Sequence, residues 1–216
     1  MSQEPRTKGE RTRARILDSA TELFSRSGYN SVSLREIAAH AGMTHAGLLH
    51  HFAGKEPLLL EVLSRRDEDD AAFLFPGLLG GDPPSTDGTG PGAEERLRRL
   101  VGVVGRNSQT PGLVALYAKL SAEASEPAHP AHSYFVKRYQ VLRAEIAALL
   151  GELFEASEPP VAADPRAVAQ QLLALMDGLQ TQWLLEPAAV PMEQRVWEFL
   201  AHYGLAPAAK WGTVSH

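Results

Sequence analysis

The stretch SLREIAAHAGMTHAGLLHHF, residues 33–52, constrains the fold of this chain more than any other segment. It opens on Ser33 with Glu36 three residues later, a capping box in which each side chain satisfies a free amide at a helix start. Gly42 suits a tight turn that needs a positive φ, and Thr44 suits the start of a second helix. The stretch therefore predicts two short helices joined by a tight turn, which is the arrangement of a helix-turn-helix.

The rest of the chain shows helical periodicity almost throughout and no alternating β-branched runs, which predicts an all-α fold. The exception is the segment 76–93, which holds six glycines and four prolines and reads as a mobile loop. We expect an N-terminal three-helix head followed by a larger helical domain. About nine helices are predicted, near residues 10–27, 33–41, 45–52, 55–73, 94–108, 112–124, 131–156, 165–186 and 191–203.

Charge divides the chain into a basic head and an acidic body. The net charge is −5, but residues 1–66 carry ten Lys/Arg against seven Asp/Glu, and residues 67–216 carry eleven against nineteen. A basic head suggests contact with a polyanion, although a surplus of three charges is also ordinary. Together with the predicted helix-turn-helix, whose second helix is the element that enters a DNA groove, this split supports a DNA-binding domain over 1–54 and a second, helical domain over 55–216.

The absence of cysteine and of apolar membrane or signal segments indicates the cellular compartment. Cysteine is absent, which rules out disulfides and fits a reducing compartment. No uncharged run approaches the roughly 18 residues that a membrane span needs, and the charged N-terminus has no apolar core of a secretory signal behind it. We therefore expect a cytoplasmic protein with no membrane partner.

The histidines of the opening stretch raise the alternative of a metal site. They lie on two separate predicted helices, and no carboxylate stands three or four residues from His45. Such a set suits zinc poorly, so the sequence predicts no metal here. The histidines considered are His40, His45, His50 and His51.

A second histidine pair occurs in EPAHPAH, residues 126–132. Glu126, His129 and His132 offer metal-binding side chains, but the two prolines favour a helix junction instead. The chain also lacks G-x-S-x-G, H-E-x-x-H and a glycine-rich phosphate loop after a strand. We therefore expect neither an enzyme nor a bound cofactor.

The block ARILDSATELFSRSGYNSVSLREIAAHAGMTHAGLLHHFAGKEPLLLEVL resembles the N-terminal domain of the TetR family of bacterial transcriptional regulators. The matching features are a first amphipathic helix ending in Gly-Tyr, the S-x-R-E-I-A helix, the Ala-Gly turn, a threonine cap, the H-H-F ending and the following K-E-x-L. They cover about 50 residues. The remainder resembles the family in its helical layout, and PGLVALYAKLSAEASEPAHPAHSYFVKRY and DGLQTQWLLEP are similar to C-terminal domains of actinobacterial members.

The resemblance implies roles in DNA binding, because the family's second helix-turn-helix helix lies in the major groove while its flanks contact phosphates. Thr44, His50 and Lys55 would reach the DNA backbone. The family often has lysine at the position of His45 and tyrosine at the position of Leu49. Both differences remove a long polar side chain that could hydrogen-bond to DNA. Contact with thymine methyls and DNA shape should therefore contribute more to sequence recognition. The implied contacts are Ser33, Arg35, Thr44, His45, Ala46, Gly47, His50 and Lys55, of which His45, Ala46 and Gly47 lie nearest the bases, with Arg11, Arg13 and Arg15 able to add contacts.

The resemblance also implies that the larger domain dimerises and encloses an effector. Aromatic and amide groups among aliphatics suit a mostly apolar pocket, and Asp177 lies in an apolar stretch where it needs solvent, a partner or a cationic ligand group. Ordinary core packing is the alternative for all of these side chains. The expected pocket residues are Tyr117, Tyr134, Phe135, Tyr139, Asp177, Gln180 and Trp183, and the expected dimer interface is Leu172, Leu175, Met176, Leu179, Val196, Phe199, Leu200 and Tyr203.

These features predict a one-component, ligand-responsive repressor. One recognition helix of about eight residues makes too few contacts alone, so two copies should read a palindromic double-stranded DNA operator. A small, largely apolar effector would release the homodimer. The alternative is an all-helical protein-interaction module without specific DNA binding, which would not need a capped helix-turn-helix behind a basic approach.

Overall fold

The computed structural model of the protein describes residues 7–74 and 91–205, without the side chains of 71–74. All nine elements in these ranges are helices, which confirms the all-α expectation. The expected loop falls, for residues 76–90, outside the described part of the chain. The helices are α1 Lys8–Ser27, α2 Leu34–His40, α3 His45–His51, α4 Lys55–Leu74, α5 Ala93–Asn107, α6 Pro111–Glu123, α7 His132–Ala156, α8 Pro165–Leu185 and α9 Met192–Ala201.

Local capping explains where several helices begin and end. Ser33 and Glu36 form the expected capping box at α2, and the Asp164 side chain accepts a hydrogen bond from the Arg166 amide at the start of α8. Helix α1 starts two residues before the expected position, because Thr7 and Glu10 form a second capping box. Gly28 follows α1 with a φ of +81°, a conformation that other residues rarely adopt.

The described residues form two compact units. The first contains residues 7–69 and 110–135, and the second contains the remaining described residues up to 109 together with 136–205. The expected boundary after residue 54 divides the chain by function. The two units divide it by packing and therefore do not test that boundary, which stays a prediction.

The helix-turn-helix lies in the first unit and is held by buried apolar side chains of its three helices. Phe24 of α1, Ile37 of α2 and Leu48 of α3 are each fully buried. Gly42, in the turn between α2 and α3, has a φ of +66°, as the sequence predicts. Burial of these large side chains fixes α3 against α2 and α1 and determines which face of α3 stays in solvent.

The second unit has its own core, built from α5, α7, α8 and α9. Val101, Leu150, Leu172 and Leu200 are fully buried within it. It is therefore a helical body with enough buried apolar surface to form a domain of its own.

Candidate nucleic-acid interface

Helix α3 is a short helix with one anchored face and one outward face. The Thr44 hydroxyl oxygen caps it by accepting a hydrogen bond from the Gly47 amide at 3.1 Å. A side chain at position 47 would place its Cβ 3.2 Å from the same hydroxyl oxygen, so glycine keeps this cap uncrowded. Leu48 and the following Phe52 are buried, and they hold the helix to the rest of the head.

The outward face carries several of the residues assigned to DNA contact. Ala46 and His50 are exposed, and His45 and Gly47 are partly exposed. Leu49 also faces outward, with 42% of its surface exposed. The expected contact set omits Leu49, although its apolar side chain is well suited to contact with a thymine methyl.

The start of α2 adds a second exposed edge. Ser33 and Arg35 are both exposed. The Ser33 amide donates to the Glu36 carboxylate at 2.7 Å, and this bond lowers the pKa of that carboxyl group. Glu36 therefore stays charged, and its negative charge is directed to the helix start.

Lys55 lies at the first turn of α4 and is partly engaged within the head. Its ammonium nitrogen lies 4.3 Å above the centre of the Tyr29 ring and 3.5 Å from the Asn30 carbonyl oxygen. Partial burial lowers its pKa, which the charge of Glu36 offsets in part. These contacts pre-position the ammonium group and restrict its motion.

The three arginines of α1 differ in their surroundings. Arg11 and Arg15 are exposed, whereas Arg13 forms an ion pair with Glu61 and donates to the His51 carbonyl oxygen at 2.7 Å. Its guanidinium also lies 4.1 Å from the centre of the Phe52 ring. Arg13 therefore ties α1 to the end of α3 and to α4.

Several histidines make local contacts. His40 lies 3.6 Å from the Glu22 carboxylate, and His50 and His51 pack ring edge to ring face. His129 accepts from the Ala131 amide, and His132 lies 2.8 Å from the Ala124 carbonyl oxygen. Within the described residues, no three His, Asp or Glu side chains are grouped as metal ligands.

The expected effector residues fall into separate groups. In the first unit, Tyr117 donates to the Leu63 carbonyl oxygen at 2.7 Å, and Tyr134 donates to the Asp67 carboxylate. Phe135 packs edge-on against both tyrosines. Burial raises the pKa of the Tyr134 phenol above its ordinary value, so the hydroxyl remains protonated and donates.

In the second unit, Asp177 has the partner that the sequence leaves open. The Tyr139 hydroxyl donates to its carboxylate at 2.7 Å. Burial raises the pKa of Asp177, opposed by the Tyr139 hydrogen bond and by the charge of Arg138. Gln180 and Trp183 are partly buried on the same helix, α8.

The expected interface residues divide by burial. Leu175, Phe199 and Tyr203 are partly exposed, and they pack beside the core of the second unit. The other five are buried in the chain's own core and leave little surface for contact with a second copy. These buried residues are Leu172, Met176, Leu179, Val196 and Leu200.

A capped, seven-residue second helix with a buried inner face and a solvent-exposed outer face is typical of helix-turn-helix DNA-binding transcriptional regulators. The family model for bacterial regulatory proteins of the tetR family matches residues 16–62. The model described as BetI-type transcriptional repressor, C-terminal, matches residues 93–203, which is about half of the chain. The protein belongs to the TetR family of transcriptional regulators.

Relatives of known sequence or structure agree. The HTH-type transcriptional regulator AcrR of Shigella flexneri is 25% identical over 212 residues, covering 93% of this chain and 91% of AcrR. A transcriptional regulator from Saccharomonospora viridis, solved in complex with choline, is 26% identical with a TM-score of 0.68, covering 89% of this chain and 96% of its own. A TetR-family regulator from Streptomyces coelicolor is 26% identical with a TM-score of 0.69, covering 89% and 95%.

Over residues 7–74 and 91–205, no helix combines the length and the apolar character needed to cross a membrane.

Proposed function

We propose that this regulator is a homodimeric repressor that binds a palindromic operator and leaves it when a small effector binds. The observation that carries the proposal is the outward face of α3, where Ala46, Leu49 and His50 stand in solvent while Leu48 is fully buried. Because operator DNA lies in the bacterial cytoplasm, we place the protein there. The functional boundary lies near residue 54, with DNA binding before it and dimerisation and effector binding after it.

DNA contact is divided between base edges and phosphates. We assign His45, Ala46, Gly47 and the newly identified Leu49 to the major-groove floor, where apolar contact dominates. The flanks contact phosphates. The residues assigned to phosphate are Ser33, Arg35, Thr44, His50 and Lys55.

Dimerisation uses the partly exposed surface of α8 and α9. Leu175, Phe199 and Tyr203 supply apolar area there. Two-fold pairing of these surfaces would place two heads on one duplex. The affinity of the pair then exceeds that of one head, because the second head binds at a high effective concentration.

Effector binding is assigned to the helical body. A structural neighbour from Saccharomonospora viridis holds choline, which supports a small-molecule site in this fold. In this chain the Tyr139–Asp177 pair offers a polar anchor among aliphatic side chains. An effector that binds the DNA-free form more tightly must weaken DNA binding by the same factor.

The primary test is fluorescence anisotropy with the DNA upstream of the protein's own gene, at roughly physiological salt. A scrambled duplex of equal length serves as the control. Saturable binding with two subunits per duplex, well above that for the scrambled duplex, is the expected result. Equal and weak binding to both duplexes, followed by no enriched fragment in a genome-wide selection, would reject operator recognition and favour the interaction-module alternative.

Thr44→Asp should weaken operator binding by roughly tenfold or more per subunit, because a carboxylate replaces the hydroxyl that faces phosphate. Aspartate caps a helix at least as well as threonine, so thermal stability should hold. Thr44→Ser keeps both the cap and the hydroxyl and should bind like the parent. Unchanged operator affinity of the aspartate variant would show that α3 does not dock by its first turn.

Lys55→Ala should weaken binding to every duplex about equally. Loss of one phosphate contact per subunit should also reduce the salt slope by about one unit per subunit. The measurement is anisotropy over a salt series on operator and scrambled duplexes. Lys119→Ala removes the same charge from an exposed position of α6; if both variants lose affinity alike, Lys55 acts through net charge only.

A further inference from the structure

Helix α3 carries no permanent charge, although it is the element assigned to the major groove. Its seven residues, HAGLLHH, hold no Lys, Arg, Asp or Glu, and three of them are histidine. Histidine is the side chain that ordinarily gains a proton as the pH falls from about 8 to about 5. Any positive charge that this helix offers to DNA therefore depends on pH.

The three histidines hold different positions on α3. His45 is the first residue of the helix, next to the Thr44 cap. His51 is partly buried, and its carbonyl oxygen accepts a hydrogen bond from Arg13 at 2.7 Å. His50 is exposed in the last turn, where a positive charge interacts favourably with the carbonyl end of the helix. His50 is therefore the imidazole best placed to carry a proton in solvent and to meet a phosphate.

The surroundings of His50 supply another ring but no counter-ion. The His51 ring packs against it edge to face, with 5.7 Å between the two ring centres. Within the described part of the chain, no carboxylate pairs with His50. An imidazolium at this position would therefore have a DNA phosphate as its counter-ion.

Charged groups on the neighbouring helices are mostly held by partners of their own. Arg35 of α2 is exposed. The engaged groups are Arg13 of α1 with Glu61 of α4, Glu36 of α2 with the Ser33 amide, His40 of α2 with Glu22 of α1, and Lys55 of α4 with the Tyr29 ring. Protonation of His50 thus changes the charge of the DNA-facing surface without breaking an ion pair inside the head.

From these observations we propose that each subunit takes up a proton on His50 when it binds its operator, so that DNA affinity rises as the pH falls. A phosphate binds an imidazolium more strongly than a neutral imidazole, and the state that holds more protons gains from a higher proton concentration. Affinity is highest where His50 is charged before DNA arrives and lowest where it stays neutral in the complex. The inference rests on the DNA-binding function proposed above.

The test is anisotropy of the full chain on the upstream duplex and on the scrambled duplex, at about pH 6 and about pH 8 and at matched ionic strength. We expect operator affinity to fall roughly tenfold or more between the two pH values. The salt slope should be shallower at the higher pH by about one unit per subunit, because one phosphate contact per subunit is lost. Calorimetric titrations in two buffers of different ionisation heat should show net proton uptake on binding.

Two substitutions of His50 bracket the effect. His50→Lys keeps a positive charge at both pH values, and His50→Gln stays neutral at both, so the affinity of each variant should change little with pH. His50→Lys should also bind more tightly than the parent at the higher pH. His202→Gln removes an exposed histidine at the end of α9 and should keep the parent's pH dependence. Each variant is compared with itself at two pH values, so a general loss of affinity does not affect the result.

Equal affinity of the parent at both pH values would overturn the proposal, as would a pH dependence that persists in His50→Gln. Tight operator binding without a pH dependence rejects proton uptake alone and leaves the regulator function in place. Equal binding of the upstream and scrambled duplexes at both pH values, by contrast, counts against operator recognition itself.

Discussion

Replacing Arg13 with alanine is expected to lower the free energy of unfolding by about 2 kcal/mol and to weaken operator binding by roughly tenfold or more. The ion pair with Glu61 contributes only a part, because the two side chains keep 41% and 34% of their surface exposed. The larger part comes from the bond to the His51 carbonyl oxygen and from the contact with the Phe52 ring. Both contacts end at the C-terminus of α3, so their loss releases the recognition helix.

Arg26→Ala is the control, because it removes the same charge from an exposed site on α1 that is not assigned to DNA contact. Urea unfolding at one fixed protein concentration gives the stability difference, and anisotropy on the operator gives the affinity. If Arg13→Ala keeps the parent's stability and loses only affinity, Arg13 contacts DNA directly and the tie described above is not its main role.

Replacing Gly112 with alanine is expected to lower the free energy of unfolding by about 2–3 kcal/mol. A Cβ at this position would lie 2.8 Å from the Ser25 carbonyl oxygen and 3.1 Å from its carbonyl carbon. These are backbone atoms of α1, so no side-chain rotation relieves the overlap. Helices α1 and α6 would have to separate.

Gly178→Ala is the control, because position 178 of α8 has room for the added methyl group. Nothing lies within 4 Å of a Cβ at that position of α8, so alanine should stabilise by about 0.5–1 kcal/mol through its better helix propensity. Urea unfolding of the two variants side by side is the measurement. A gain in stability for both would mean that α1 and α6 approach less closely than the structure places them.

Local sequence signals are sufficient to predict where most of the helices lie. Capping residues such as Ser33 and Asp164 act within four residues, so the pattern alone locates α2 and α8. Thr7 and Glu10 carry the same kind of signal, and α1 begins directly after Thr7, two residues before the position that apolar periodicity predicts. Gly204, with a φ of +73°, follows α9, which ends two residues before the expected position.

Contacts between side chains that are far apart in the sequence cannot be predicted from such local signals. Arg13 reaches Glu61 across 48 positions of the chain, and no periodicity in α1 distinguishes it from Arg11 or Arg15. Leu49 is absent from the expected contact set although the resemblance places it where the family often has tyrosine, and its exposure of 42% shows that it faces outward. Whether Leu172 or Leu175 faces the core likewise depends on which helices pack against α8.

The seven residues of α3 also set how much sequence one head can distinguish. At about 1.5 Å of rise per residue, the helix is roughly 10 Å long, which matches about three base pairs of duplex. A sequence of about three base pairs recurs throughout any genome. If two heads bind one duplex, as proposed, the pair distinguishes about six base pairs, and a site of that length still recurs by chance across a genome. The number of molecules per cell, as much as the affinity for the target site, therefore sets how often that site is occupied.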